Sequence, residues 1–281
     1  MRSLSRKMVT SLALFLAASL ASPAVFAAQF SGLRGSPDLR SASVLVIDSQ
    51  GNIVYGKDIN AVRSIASITK LMTAMVVLDS GLDLNEKIEV TREDRDQVQL
   101  TGSRLDFGAR LARREMILLA IMSSENRAAS ALGRHYPGGL DAFVKQMNRK
   151  ATELGMTNSH FADPAGLRVE NKSTAADLAK MVQAADQYAL IRQASTTRQM
   201  EVRPYAQRGP LMYNNTNRLL KNSNWDIELS KTGYINEAGR CLVMRARIDG
   251  EPVSIVLLNS FGKLTPFGDS NRLRKWMIAG R

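Results

Sequence analysis

The chain of 281 residues contains one cysteine, Cys241, and two histidines, His135 and His160. A lone thiol forms no disulfide within the chain, so an apolar core must hold the fold. The neighbours Leu242-Val-Met244 place Cys241 on a buried strand rather than at a reactive position. With so few imidazoles and no Gly-x-Ser-x-Gly elbow, a histidine triad is not expected. Neither histidine falls in a metal-ligand spacing, and no metal or other cofactor is expected. Aromatic residues make up only 6% of the chain and the basic residues are scattered, which argues against a nucleic-acid groove despite a formal charge of +12. After the first 28 residues no apolar stretch is long enough to span a bilayer.

What is present is a globular composition, 44% hydrophobic and 23% charged, behind a basic and then apolar N-terminus. Arg2, Arg6 and Lys7 precede an apolar run from Met8 to Leu20 and the small-residue stretch Ala21-Ser-Pro-Ala-Val-Phe-Ala-Ala28. This pattern predicts a signal peptide over 1–28, cleaved after Ala27 or Ala28, and an exported protein over 29–281 without a stable membrane anchor. Removing the three leader cations leaves +9. Such a balance suits attraction to an anionic polymer or membrane surface outside the cytoplasm, with ordinary solvated surface charge as the alternative.

Ser43-Val-Leu-Val-Ile-Asp48 and Asn52-Ile-Val-Tyr55 form a hairpin pattern turning at Ser49-Gln-Gly51. From Ser67, Ile68, Leu71, Met72, Met75 and Leu78 recur at helical spacing until Gly81. Met116 to Met122 is apolar all round and predicts a buried helix; further helices are predicted over Leu140 to Leu154, Thr174 to Ala185 and Ser270 to Ala279. Gly155 to Ser173 has no period and predicts a long loop. Strands are predicted over Ile227 to Gly233, Arg240 to Ile248 and Val253 to Asn259. Strands at both ends around a helical middle imply an α+β fold, with one antiparallel sheet that the N-terminal hairpin rejoins.

Ser67-Ile-Thr-Lys70 puts a hydroxyl and an amine one helical turn apart. A chain of this length holds about one or two such pairs by chance, and Ser260-Phe-Gly-Lys263 is a second, read as chance because a strand there runs into a loop. Ser67 taken alone reads first as a helix cap. A serine used for acyl transfer needs a base, an oxyanion pocket and a proton route to the leaving amine. Lysine serves as base if burial and a neighbouring cation lower its pKa, and Lys231 is the candidate for that cation. Ser124-Glu-Asn126 follows Ser67 by 57 residues, and Lys231-Thr-Gly233 follows Ser124 by 107.

This ordered trio resembles that of penicillin-binding proteins and class A β-lactamases. Together with Phe161-Ala-Asp-Pro-Ala-Gly-Leu167 and Met122-Ser-Ser-Glu-Asn-Arg-Ala-Ala129, it resembles the low-molecular-mass D-alanyl-D-alanine peptidases of family S11, from about Ser41 to Trp276. The resemblance implies a β-lactamase/transpeptidase-like fold. It would have an antiparallel five-stranded sheet with helices on both faces (about 41–66 and 200–281) and an all-helical subdomain (about 67–199). It further implies Ser67 as nucleophile, Lys70 as general base, Ser124 as proton relay and Asn126 as holder of Lys70 and the substrate amide. Lys231 and Thr232 would bind the carboxylate beyond the scissile bond, Gly233 belongs to the same motif, and the Ser67 and Tyr234 backbone N–H groups would form the oxyanion hole. The implied partners are peptidoglycan stem peptides and cross-links, β-lactams as covalent inhibitors and other cell-wall enzymes, all in the periplasm.

Within that resemblance, the chain stops shortly after Trp276, without the β-rich second domain and amphipathic anchor of many carboxypeptidases. The expectation is therefore an endopeptidase cutting D-alanyl–meso-diaminopimelate cross-links. Carboxypeptidase is the alternative, and a non-catalytic wall-peptide binder is a further one. A class A β-lactamase is less expected, since Glu153 and Glu170 sit in no Glu-Leu-Asn pattern.

Overall fold

The structure is a computed structural model that describes Phe30 and residues 32–280. The expected signal peptide lies outside the described residues. Strands β1 (Ser41–Ile47) and β2 (Ile53–Lys57) form the anticipated hairpin, and β3 (Arg63–Ser64) leads into a 3-10 turn, Ala66–Ile68. Helix α1 (Thr69–Asp79) follows, and then a small ribbon of β4 (Lys87–Glu89) and β5 (Arg110–Ala112). Helices α2 (Arg113–Met122), α3 (Asn126–Arg134) and α4 (Gly139–Glu153) come next. The loop after α4 carries β6 (Lys172–Ser173), which pairs with β3 and precedes α5 (Ala175–Ala185) and α6 (Ala189–Thr196). A second ribbon, β7 (Gln199–Val202) with β8 (Leu211–Asn214), leads to the meander β9 (Asp226–Ile235), β10 (Gly239–Ile248) and β11 (Glu251–Ser260), and α7 (Thr265–Ala279) closes the fold.

The five long strands make one antiparallel sheet in the order β2-β1-β11-β10-β9, so the N-terminal hairpin does rejoin the C-terminal meander. Asp249 (φ 52) and Gly250 (φ 84) both take the left-handed conformation that a tight two-residue hairpin demands. Side-chain alternation divides the sheet between two cores. Leu45, Cys241, Val243, Val256 and Leu258 face the core shared with α1 to α6. Val44, Leu242, Met244, Ile255 and Leu257 face a second core with Trp225, Leu273 and Met277 under α7. Apolar layers on both faces explain why β10 and β11 read as nearly continuous hydrophobic runs.

One expectation needs correction. The last helix starts at Thr265, not Ser270, because Pro266 occupies its first turn, where a missing N–H costs nothing. Helices α3 and α6 carried no sequence expectation; both are short, and α3 begins on the polar Asn126 behind a Glu125 cap that accepts from Arg127 N–H. Among the described residues no helix is long and apolar enough to cross a membrane.

Candidate active site

Ser67 sits in the 3-10 turn just before α1, after Ala66, whose φ of 47° is unusual for a residue with a side chain. It caps nothing, because neither the turn nor α1 has a side-chain cap hydrogen bond. Lys70 lies in the first turn of α1, which is buried from Thr69 to Val77, so its amine is carried into the interior by the packing of the whole helix. Its Nζ is 2.8 Å from Ser67 Oγ, 2.7 Å from Asn126 Oδ1 and 2.6 Å from Ala165 O. A neutral amine has two N–H bonds and one lone pair. Asn126 Oδ1 and Ala165 O only accept, so they take the two hydrogens, and the lone pair is left facing the one partner that can donate, the Ser67 hydroxyl.

Burial brings the Lys70 pKa down to about 7, against the opposing pull of Asp163, Glu125 and Asp96. The sequence reading gave Lys231 a share in this depression. The fold instead makes burial the cause at Lys70, and the charge effect runs the other way: Lys231 is lowered first by burial and then by Lys70. Lys231 Nζ donates to Ser124 Oγ (2.8 Å) and to Thr232 O (2.8 Å). Ser124 holds φ 61°, a strained setting for a serine, immediately after α2 delivers it to the site.

A directed chain of hydrogen bonds fixes the Asn126 amide. Thr101 O–H donates to Asp96 Oδ2 (2.6 Å), so its oxygen accepts from Asn126 Nδ2 (2.8 Å), which leaves Oδ1 for Lys70. Neither Asp96 nor Thr101 was expected from sequence, since both lie in a segment without a period. Asp163 is a similar omission. Its carboxylate accepts backbone N–H bonds from Ala165, Gly166, Leu167 and Arg168 and a side-chain bond from Asn171, and so shapes the loop that presents Ala165 O to Lys70.

Strand β9 is an edge of the sheet and packs directly on the Ser67 turn. Gly233 permits this approach: a Cβ there would lie 2.8 Å from Ile65 O and 3.2 Å from Ser67 N. Thr232 Oγ1 is 2.6 Å from Thr216 Oγ1, a contact absent from the sequence expectations. Tyr234 points outward with its ring 3.5 Å from the Arg240 guanidinium carbon. Ser67, Ser124, Asn126, Thr232, Gly233 and Tyr234 all line one cavity of about 670 Å³, while Lys70 and Lys231 are buried. The second Ser-x-x-Lys pair is no dyad. Ser260 Oγ is 2.7 Å from Ser41 Oγ, which donates to the buried Asp269.

The chain as a whole is similar to known proteins. The family model described as D-alanyl-D-alanine carboxypeptidase, peptidase S11, matches residues 32–262. The chain is 46% identical over 272 residues to a D-alanyl-D-alanine endopeptidase of Escherichia coli K12, covering 96% of this chain and 88% of that one. It is 47% identical over 251 residues to a D-alanyl-D-alanine endopeptidase of Pseudomonas aeruginosa, covering 89% and 81%. The crystal structure of the Streptomyces K15 DD-transpeptidase superposes with a TM-score of 0.81 at 28% identity, over 88% of this chain and all of that one. With its fold, its trio of motifs and these relatives in agreement, the chain belongs to the S11 family of D-alanyl-D-alanine serine peptidases.

Proposed function

We propose that the protein is a periplasmic D,D-endopeptidase that opens D-alanyl–meso-diaminopimelate cross-links in peptidoglycan through an acyl-enzyme on Ser67. The observation that carries this reading is the buried Lys70 amine, 2.8 Å from Ser67 Oγ with its other two neighbours confined to accepting. Ser67 Oγ attacks the D-alanine carbonyl carbon as its proton passes to Lys70 Nζ. The Ser67 and Tyr234 N–H groups hold the oxyanion. The tetrahedral intermediate then expels the amine, which takes the proton from Lys70 through Ser124. Water repeats the sequence on the ester, with Lys70 again as base, and frees the serine.

Lys231 and Thr232 receive the carboxylate next to the cleaved bond. An arriving carboxylate favours the charged form that burial discourages on Lys231, and a charged Lys231 in turn favours the neutral form of Lys70. Deacylation of a penicilloyl ester is slow on this account. Of the two carboxylates within the 155–173 loop, Glu170 is exposed, and Asp163 is already taken up by four backbone N–H groups and Asn171, and so it is not free to activate a water. That two relatives matched over most of both chains are named D-alanyl-D-alanine endopeptidases supports cross-links rather than terminal D-alanine as the substrate here. The basic and apolar N-terminus supports export.

Digestion of labelled, cross-linked muropeptide dimers with mass detection tests the substrate. Dimers fall to monomers if the reading is right. Release of D-alanine from pentapeptide with dimers left intact would make the protein a carboxypeptidase.

A further inference from the structure

The cavity above Ser67 is larger and more basic than the chemistry at the nucleophile requires. Arg218, Lys221, Arg240 and Lys263 line it, and no aspartate or glutamate does. Among the described residues' ion pairs none involves these four, whereas Arg245 and Arg247, further along the same strand as Arg240, are both paired with Glu228. Arg240 stacks instead on the Tyr234 ring at 3.5 Å, which leaves the guanidinium edge available for a ligand.

Arg218 and Lys221 stand on a short 3-10 turn, Arg218–Lys221, that is fastened beside the carboxylate-binding strand. Thr216 N–H donates to Met122 O (3.1 Å), and the Thr216 and Thr232 hydroxyls are 2.6 Å apart. Asn217 accepts from Leu219 N–H (3.0 Å) and Leu219 is buried, so the cations rise from an anchored base rather than a loose loop.

Resting on the reading of the site as a D,D-peptidase, we propose that this basic wall is a subsite for the leaving peptide. It selects leaving groups that carry carboxylates in addition to the one beside the cleaved bond. A free amino acid brings a single carboxylate, which Lys231 and Thr232 already receive, and fills only a small part of about 670 Å³. A leaving stem peptide brings further carboxylates, at its C-terminus and along its backbone, and is long enough to reach the wall. Unpaired cations facing such a polyanion raise both affinity and encounter rate, in a salt-dependent way.

The test is the double variant Arg218→Gln/Lys221→Gln, whose side chains are exposed and outside the ion-pair network. Exposed pairs have modest strength, so kcat/KM for dimers should fall about three- to thirtyfold and the loss should shrink in high salt. Penicillin acylation, which presents one carboxylate, should change less than about threefold on the same reasoning. In the second arm, the outlying carboxylates of the acceptor peptide are amidated. The native protein should lose a similar factor on the amidated dimer, and the variant should lose little more. Native protein that cuts carboxylate and amidated dimers equally overturns the subsite and leaves the peptidase reading standing. Native protein that cuts no dimer at all, yet is acylated by penicillin, overturns the endopeptidase reading and the subsite with it.

Discussion

Replacing Lys70 by methionine lowers the rate of penicillin acylation by about 10²- to 10⁴-fold, the range expected when a positioned general base is removed. Methionine keeps the apolar stem and most of the volume, but offers Ser67 no lone pair. The substitution leaves Asn126 Oδ1 and Ala165 O without the Lys70 hydrogens and also removes a buried amine, two effects on stability of opposite sign. A cooperative thermal melt should accordingly survive. In the unmodified protein the same group sets the pH profile. Below about 7 Lys70 is an ammonium with three hydrogens and no lone pair, and above it the amine is free. The acylation rate therefore rises with pH through about 7 and levels off on the alkaline side. Stopped-flow measurement with a chromogenic β-lactam between pH 5 and 9 reads both effects. A variant within tenfold of wild type, or a profile flat through neutrality, would place the base elsewhere.

Gly166→Ala is expected to be nearly as damaging, for a steric reason remote from proton transfer. A Cβ at this position would lie 2.0 Å from Ala66 O, 2.5 Å from Ala66 C and 2.9 Å from Thr69 Oγ1. Gly166 also holds φ 75°, which side chains other than hydrogen resist. Because the obstruction is backbone on the very turn that carries Ser67, relief requires the loop or the turn to move by about an ångström. Ala165 O, one residue away, would lose its 2.6 Å bond to Lys70. A destabilisation of about 3 kcal/mol or more is expected, with at least about a hundredfold slower acylation in the fraction that folds. Urea melts and acylation kinetics on the same sample separate the two. A variant with wild-type stability and rate would show that the close approach of loop and turn does not matter.

Much of the site was readable because its chemistry is carried by short local patterns. One helical turn brings Lys70 to Ser67, and an apolar α2 delivers Ser124. A strand bearing Lys-Thr-Gly reports its small residue, although only the fold reveals that Gly233 is there to admit Ile65 O and Ser67 N. The sheet was equally legible, since alternating and continuous apolar runs mark β1, β2 and β9 to β11. Other parts depend on contacts between distant segments that leave no period. Thr101 and Asp96 orient Asn126 from an irregular stretch. Thr216 meets Thr232 from the end of a ribbon, and Asp163 was visible only as a member of a familiar string. The basic wall is assembled from three separated segments, so scattered cations in the sequence become one cluster only in space. Pro266 hid the start of α7 because proline reads as a breaker, although the first turn of a helix tolerates it.

Peptide mapping by mass spectrometry after brief treatment with penicillin is the most direct test of the account. It predicts a single added penicilloyl mass, located on the peptide that contains Ser67 and lost slowly on standing. An unmodified Ser67 peptide, or an adduct on any other residue, would contradict it.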